Sequence, residues 1–353
     1  MATARSFDSS IEETAPTANA PAREAKATQQ AVPVAEEIRC LRPDEMALWD
    51  SFVDCSPQGS LFSRSWWLRA VGGDTRVLGC FRKGQLVAGI PLHFEKYYGI
   101  PFCRMPKITP LWGVLLSPPN GKRASVASEE NGILKAMAAA LRQYRFFFQF
   151  FSTEFDNWLP FFWAGYSQTT RYTYRIAVDD LDRVWQEMAP NVRNQIRAAQ
   201  KAGITVVPCG PEQVYALEEE TYRRQGMKMP HSWEYLSGLY KAAQEQDAGA
   251  CAAAVDAKGN VYCAGFCVWD SQTTSALVLG NNSELRTSGA TSLLNWHFIQ
   301  ESSRRSKTFD FCGSFVENIE RFVRSFGGRR IPYYRITRFP RLVKAGLSFA
   351  GKI

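Results

Sequence analysis

A hairpin signal that occurs twice, half a chain apart, is the feature that most constrains the fold. Lys83-Gly84-Gln85 precedes Ala88-Gly89, and Lys258-Gly259-Asn260 precedes Ala264-Gly265. The turn glycines are 175 residues apart (259 − 84), and apolar runs flank each turn, as in a β-hairpin. Self-similarity at a fixed spacing indicates a duplicated unit. Because Lys-Gly-polar turns are common in hairpins, the pair by itself leaves coincidence open.

The periodicity around the two turns predicts an α/β protein with a mixed sheet. Apolar residues at intervals of three and four indicate helices, and short apolar runs bounded by turn residues indicate strands. Helices are predicted over 43–54, 66–68, 132–144, 181–188, 190–202, 212–224, 233–244, 289–303 and 316–326. Strands are predicted over 75–81, 86–94, 146–151, 204–207, 251–255, 261–269, 275–280, 308–312 and 332–336. Residues 99–122, rich in Pro and Gly, are predicted to form an ordered loop region.

The composition is that of a folded protein in a reducing compartment. Apolar residues make up 45 % and charged residues 22 % of the 353 residues, which suits two domains with real cores. The nine cysteines are scattered without a Cys-x-x-Cys pair, so reduced thiols and a cytoplasmic location are predicted. No metal is predicted, because the three histidines lie far in sequence from the close pair Cys263 and Cys267.

The two ends and the charge of the chain restrict its partners. Residues 1–36 have few bulky apolar groups and are predicted to be a disordered tail, and residues 341–353 a basic C-terminal tail. No apolar stretch reaches the ~18 residues that a transmembrane span needs. The net charge of +8 is spread along the chain without a basic block, which favours small phosphorylated ligands over DNA. An ordinary soluble surface explains the charge equally well.

A series of short stretches in a fixed order carries a family resemblance. They are Trp67-Leu68-Arg69-Ala70-Val71, Pro106-Lys107-Ile108-Thr109 with Gly113, Thr221-Tyr222-Arg223-Arg224-Gln225-Gly226-Met227-Lys228-Met229-Pro230, Phe309-Asp310-Phe311-Cys312-Gly313-Ser314, Ile319-Glu320-Arg321-Phe322 and Ser325-Phe326-Gly327-Gly328. The chain resembles the FemAB-like GNAT acyltransferases, often described as GNAT N-acetyltransferases with a BioF2-like domain. The resemblance spans roughly residues 40–340.

The resemblance implies two tandem GNAT-like domains, over 37–168 and 169–340, with the chemistry mainly in the second. Better-known relatives transfer amino acids from charged tRNA onto peptidoglycan precursors. In those relatives a lysine commonly steadies the developing oxyanion, and Val323 occupies that place here. Arg321 and Arg324 are the substitute candidates, although neither points the same way as that lysine, because a helix turns about 100° per residue.

Two groups of residues are predicted to hold the phosphates of an acyl-CoA donor. Arg193, Arg197 and Lys201 share one helical face, where like charges repel unless an anion binds. The run Arg286-Thr287-Ser288-Gly289-Ala290 opens a helix after a strand, and a helix N-terminus attracts anions. The resemblance implies CoA pyrophosphate binding at this second place, with Arg286, Ser288, Gly289 and Ala290 as candidates. A solvated basic face and a plain strand-to-helix turn are the alternatives.

The remaining candidates concern acid–base chemistry and the acceptor. Asp310 lies mid-strand between two phenylalanines, where a carboxylate must be paired or serve a function; an ion pair with Arg321 or Arg335 is the alternative. Tyr333 is a weaker catalytic candidate. The acceptor-binding candidates are Arg224, Gln225, Lys228, Thr109 and Trp112.

The sequence therefore predicts an enzyme, an N-acyltransferase that moves an acyl group from a CoA-type thioester directly to an amine. Acyl-CoA is the expected co-substrate, no cofactor is expected to be tightly bound, and the acceptor is a small-molecule or envelope-precursor amine. An aminoacyl-tRNA-dependent transferase and a non-catalytic GNAT-like binding module remain as alternatives.

Overall fold

A single mixed β-sheet runs through the part of the chain described by this computed structural model, residues 36–97, 99–285, 289–313 and 316–340. Its strands are β1 (Glu37–Cys40), β2 (Asp74–Arg82), β3 (Gln85–Tyr97), β4 (Ile100–Cys103), β5 (Leu115–Leu116), β6 (Phe147–Phe150), β7 (Ser167–Ala177), β8 (Thr205–Cys209), β9 (Gly249–Val255), β10 (Val261–Trp269), β11 (Thr273–Asn281), β12 (Thr308–Asp310) and β13 (Arg329–Arg338). Except for residue 36, the predicted tails over 1–36 and 341–353 lie outside the described residues.

Helices cover both faces of this sheet. They are α1 (Met46–Cys55), α2 (Ser65–Ala70), α3 (Arg123–Leu141), α4 (Leu159–Trp163), α5 (Leu181–Glu187), α6 (Pro190–Lys201), α7 (Pro211–Arg224), α8 (Trp233–Glu245), α9 (Ala290–Ser302) and α10 (Glu317–Arg324). We call β1–β6 with α1–α4 the first half, and β7–β13 with α5–α10 the second half. None of the described helices combines the length and apolar content that crossing a bilayer requires.

The strand order shows how the two halves are joined. Along the sheet the order is β1-β2-β3-β4-β6-β13-β7-β12-β11-β10-β9-β8, and β5 pairs with β3 beside this path. The strand β13 lies between β6 and β7 and is antiparallel to both, with Arg335 opposite Phe150 on one side and Thr169 on the other. The halves thus share a continuous ladder of backbone hydrogen bonds, and the predicted domain boundary at 168/169 falls within β7.

Local sequence signals explain where several helices begin. Asp180 precedes α5 and its carboxylate accepts the N–H of Arg183 at 3.0 Å, while Ser232 precedes α8 and its hydroxyl accepts the N–H of Tyr235 at 3.3 Å. Both α6 and α7 start with proline. Proline lacks a backbone N–H, and this costs no hydrogen bond in the first turn, where N–H groups have no acceptor within the helix.

Buried tryptophans tie the helices of the first half to the sheet. Trp49, Trp67 and Trp112 belong to one hydrophobic cluster that also contains Phe266 and Leu239 of the second half. The indole N–H of Trp49 donates to the carbonyl of Ser63 at 2.6 Å, so its polar atom is satisfied inside the core. This cluster holds the loop before α2 against the second half.

Most predicted elements are confirmed, and the exceptions have physical reasons. The helix expected over 132–144 begins earlier, at Arg123. Its first turns escaped the prediction because they are polar, and only residues from Ile133 onward bury apolar side chains. The expected loop over 99–122 contains β4 and β5. The strand β7 was not predicted, and β13 is longer than the expected 332–336.

Candidate active site

A cavity of about 340 Å³ lies between the two halves at the centre of the sheet. Loops of the first half form one wall, including residues 57–62, 110–112 and 152–154. The other wall consists of side chains from β7, β11, β12 and β13. Trp112, one of the predicted acceptor-binding residues, lines the cavity, and its indole N–H donates to the carbonyl of Phe62 at 2.7 Å.

Asp310 lies buried in this wall, and three protein groups donate hydrogen bonds to its carboxylate. One carboxylate oxygen accepts the hydroxyl of Thr173 and the backbone N–H of Cys312, the latter at 2.7 Å. The other accepts Nε of Arg175 at 2.7 Å. The ion-pair partner is therefore Arg175, which replaces the expected Arg321 or Arg335. These three donors fix the orientation of the Asp310 carboxylate in the cavity wall.

Arg175 links the buried carboxylate to a more exposed one. Its Nη1 donates to Glu154 at 3.2 Å, and the side chain of Glu154 is 57 % exposed, against 4 % for Asp310. Burial is the largest single influence on the pKa of Arg175 and acts to lower it. The charge of Asp310 and the hydrogen bond to it act in the opposite direction, and the pKa is raised overall. Glu154 is therefore the carboxylate of the cavity that is open to an incoming group.

Tyr333 and Cys312 complete the polar lining near Asp310. Burial raises the pKa of Tyr333 to about 12, so the phenol stays protonated and can donate a hydrogen bond. Burial also raises the pKa of Cys312 well above its usual value, which disfavours the nucleophilic thiolate. Cys312 has a φ of 58°, a strained value for a non-glycine residue, and Gly313 follows at 67°. Together they turn the chain sharply away from the sheet.

The turn at Cys312 opens a gap between two neighbouring parallel strands. β12 pairs with β11 only over Thr273–Ser275 opposite Thr308–Asp310. Beyond that point β11 continues to Asn281 while the chain after Asp310 leaves the sheet. A β-bulge at Leu277 interrupts the ladder between β10 and β11 just past the divergence. The cavity reaches this point through Ser275, Asp310 and Cys312.

A second cavity of about 350 Å³ lies where β11 leads into α9. Gly289, Thr291 and Ser292 line it from the start of α9, with Asn281, Gln195, Phe322 and Arg224 around them. Gly289 has a φ of 78°, and an added Cβ would collide with the backbone carbonyl of Gln195 in α6. The hydroxyl of Ser292 donates to the Gln195 side chain at 2.7 Å, which fixes α6 against this end of α9.

The predicted phosphate ligands are only partly brought together. Gly289 and Ala290 lie at the start of α9, whereas Arg286 and Ser288 lie outside the described residues. On α6, Arg193 and Arg197 are each two positions from Gln195, about 200° around the helix. They face α5, where Arg193 donates to the carbonyl of Gln186 and Arg197 lies 5.3 Å from the Trp185 ring centroid. The structure does not bring these arginines, or exposed Lys201, to the second cavity.

The other predicted residues are spread over several surfaces. Arg224 lines the second cavity rather than the first, exposed Gln225 caps α7, and Lys228 lines an open depression between α7 and α8. Thr109 is buried and accepts the indole N–H of Trp67 at 3.1 Å, away from the cavity surface.

Val323, which takes the place of the oxyanion-stabilising lysine of the relatives, and the substitute candidate Arg321 do not line the first cavity. Val323 is buried in the core beneath α10. Arg321 is 64 % exposed and pairs with Glu317 at 2.9 Å, outside the first cavity. Within the described ranges, no three His, Cys, Asp or Glu side chains are grouped as a metal site would require.

Three functional candidates were missed by sequence reasoning. Arg175 lies on the unpredicted strand β7, and Glu154 lies in a loop without periodicity. Asp270 follows β10, and its carboxylate accepts the N–H of Leu61 at 3.1 Å and those of Gln272 and Thr273 at 2.8 Å. The Asp-Ser-Gln turn signal at 270–272 could have identified this last residue as structurally important.

Comparison with known proteins identifies the type of domain. The family model of the acetyltransferase (GNAT) domain matches residues 186–320. The second half therefore contains a GNAT acetyltransferase domain. The match identifies an acyltransferase domain, and the predicted resemblance to the FemAB-like tandem GNAT group is confirmed at the level of the fold. No protein in the curated set of sequences matches significantly.

Solved structures share the whole fold with this acyltransferase at low sequence identity. FemX superposes with a TM-score of 0.62 at 13 % identity, covering 84 % of this chain and 96 % of FemX. A tandem GNAT protein from the clavulanic acid biosynthesis pathway gives 0.50 at 12 %, covering 86 % and 98 %. L-PGS from Bacillus licheniformis gives 0.50 at 13 %, covering 88 % and 96 %. The predicted mixed α/β fold with tandem GNAT halves is thereby confirmed.

Proposed function

We propose that this acyltransferase moves an acyl group from a CoA-type thioester to an amine held in the cavity between the halves. The observation that carries the proposal is the divergence of β11 and β12 beyond Ser275 and Asp310. Backbone groups at a strand edge can hydrogen-bond an extended amide chain such as pantetheine. The gap starts at the second cavity, beside α9, and ends at the first cavity, so a donor lying along it would present its thioester to an acceptor.

The start of α9 suits the phosphates of such a donor. Backbone N–H groups at a helix N-terminus are oriented toward an anion, and α9 is 13 residues long. Arg224 adds a positive charge at the same cavity, and the hydroxyls of Thr291 and Ser292 lie within it. The donor's phosphates are assigned to this place, and Arg224 is assigned to the donor rather than to the acceptor.

The first cavity supplies the groups that direct attack of an amine requires. The acceptor's ammonium group is attracted by Glu154, because Glu154, Arg175 and Asp310 together have one net negative charge. Glu154 is exposed enough to accept the ammonium proton directly or through water. The free amine then attacks the thioester carbonyl. Main-chain N–H groups at the Leu277 bulge are the candidates to stabilise the developing oxyanion. Tyr333 is the candidate to donate a hydrogen bond to the leaving thiolate, which takes its proton from water.

A ligand titration with a matched pair of variants tests the donor. Saturating acyl-CoA at a hundred times its Kd stabilises the native state by about 2.7 kcal/mol, which raises Tm by several degrees. Arg224→Gln is expected to weaken this response, because Arg224 lines the cavity at α9. Arg223→Gln is the control, since Arg223 is equally exposed and lines the depression between α7 and α8 instead. No shift with CoA or any acyl-CoA would refute a CoA-type donor.

The same experiment distinguishes a CoA-type donor from an aminoacyl-tRNA donor. If thioesters give no shift but charged tRNA supports transfer to a peptide or envelope amine, the aminoacyl-tRNA-dependent reaction is correct. The buried side chain of Val323 disfavours that outcome, because the place of the oxyanion lysine is occupied by a core residue. If free thiol is released from acyl-CoA only when an amine is added, the proposed reaction is established. If no donor supports transfer to an amine, the protein is a non-catalytic binding module.

A further inference from the structure

A pair of arginines extends the wall of the first cavity beyond Tyr333. Side chains at alternate positions of a strand point to the same face, so Arg171 lies on the face of β7 from which Thr173 lines the cavity. Arg171 is directly opposite Tyr333, and Arg335 is directly opposite Thr169. The two arginines are thus diagonal neighbours on one face, with Cα atoms about 7–8 Å apart and side chains long enough to meet.

Among the described residues, the surroundings of this pair are aromatic and no carboxylate forms an ion pair with Arg335. The side chain of Arg335 is partly buried and its Nη2 donates to Thr169 at 3.1 Å. Its Nε is buried and has no hydrogen-bond partner among the described residues, and no ion pair of Arg335 is found there. The Arg171 guanidinium lies 5.6 Å from the Phe150 ring centroid, and Phe150 contacts Tyr333 edge to face.

Two guanidinium groups in such surroundings destabilise each other's charge. Burial lowers the pKa of both, and the charge of Arg335 lowers that of Arg171 further. A bound anion removes this repulsion and supplies acceptors for the buried N–H. Guanidinium groups match the oxygens of a phosphate in planar, bidentate geometry, and aromatic rings beside them hold the groups in place.

We propose that Arg171 and Arg335 bind a phosphate group of the amine acceptor, beside the cavity in which its amine reacts. The assignment rests on the proposed function, which places the acceptor in this cavity. The amine-attracting Glu154, with the Asp310–Arg175 pair beside it, lies at the other end of the same cavity. Arg171 and Arg175 are four positions apart on β7, so their Cα atoms are about 13 Å apart at about 3.3 Å per residue. The acceptor is accordingly an amine whose phosphate lies up to about 13 Å from the reacting nitrogen.

Inorganic phosphate is the probe for this site. The full-length protein is titrated with phosphate in the presence of saturating CoA, which occupies the donor site, against sodium chloride at equal ionic strength. Thermal unfolding is expected to show a saturable phosphate-specific rise in Tm. Arg335→Gln and Arg171→Gln are each expected to weaken the apparent phosphate affinity at least tenfold. Arg330→Gln is the matched control, because Arg330 lies on the opposite face of β13, 5.1 Å from the Tyr172 ring centroid.

The variants also distinguish binding from a structural role. Without phosphate, Arg335→Gln is expected to melt at or above the native temperature, because it removes a repulsive charge and a buried unpaired donor. Its response to CoA is expected to be unchanged, so a failed phosphate site and a failed CoA donor give different results. The proposal is overturned if phosphate acts no more strongly than chloride, if acetate acts as strongly as phosphate, or if Arg224→Gln abolishes the phosphate response while Arg335→Gln does not.

Discussion

The strength of the Asp310–Arg175 pair can be measured with a double-mutant cycle. Asp310→Asn keeps the shape of the side chain but removes its charge, and Arg175→Met keeps the aliphatic stem but removes the guanidinium. Breaking a buried ion pair from one side costs about 3–5 kcal/mol. The side chain of Arg175 is 20 % exposed and also contacts Glu154, so the lower end, about 3 kcal/mol, is expected for each single change. The double variant should lose less than the two singles together, by about 2 kcal/mol.

Urea unfolding at pH 7 measures each free energy in this cycle. The exposed pair Arg321–Glu317, with N and O atoms 2.9 Å apart on α10, is the control. Its coupling energy is expected to be only about 0.3–0.5 kcal/mol, because water and salt screen exposed charges. If the Asp310–Arg175 coupling were as small as that of the control pair, the argument that this ion pair organises the cavity would be wrong. Loss of acyl transfer in Asp310→Asn with retained acyl-CoA binding would place the pair at the reaction rather than at the donor.

Three further changes test other parts of the structure. Gly289→Ala should destabilise the protein by at least about 2 kcal/mol more than Gly259→Ala in thermal unfolding, because both φ angles are positive but only at Gly289 does the new Cβ meet a backbone atom. Equal losses would contradict the close approach of α6 and α9. A hydrogen bond from Arg39 lowers the pKa of Glu45 to about 2, so its contribution is complete above the ordinary pKa of 4.5 and is lost as the pH falls through about 2. Glu45→Gln should therefore flatten the decline of the urea midpoint between these pH values, and an unchanged slope would refute this. Trp112→Phe leaves a buried backbone carbonyl without its donor and should cost about 1–3 kcal/mol in urea unfolding, whereas a loss below about 0.5 kcal/mol would show that the carbonyl finds another partner.

The sequence was most informative where burial imposes a period. The helix α8 was predictable because its apolar side chains recur at the spacing of a helix, and the hairpins of β2–β3 and β9–β10 because short apolar runs flank a turn. The strand β7 escaped because threonine, tyrosine and arginine alternate along it, and one of its faces lines a polar cavity instead of a core. A periodicity argument finds strands through their buried apolar face, and much of β7 has none.

The candidate site was predictable only in part for a related reason. Asp310 was identified because a carboxylate between two core phenylalanines needs a partner, and the structure places it in the cavity wall. Its partner Arg175 could not be identified, since it is 135 residues away on the unpredicted strand. Spacing within α6 correctly predicted a basic face, but it could not show that this face is turned away from α9. Local patterns specify which way a side chain points on its own element, and they do not specify which element lies opposite.

The position of β13 has a consequence for how the protein is made. β6 leaves the ribosome early, yet its neighbour β13 begins 179 residues later (329 − 150). Until then β6 and β7 present unpaired backbone edges, which are templates for pairing with other chains. The first half therefore cannot complete its sheet during synthesis, and closure depends on contacts between distant residues, which form slowly. We expect a nascent chain arrested before residue 329 to need a chaperone, and the first half expressed alone to aggregate through the edge of β6 that β13 normally covers.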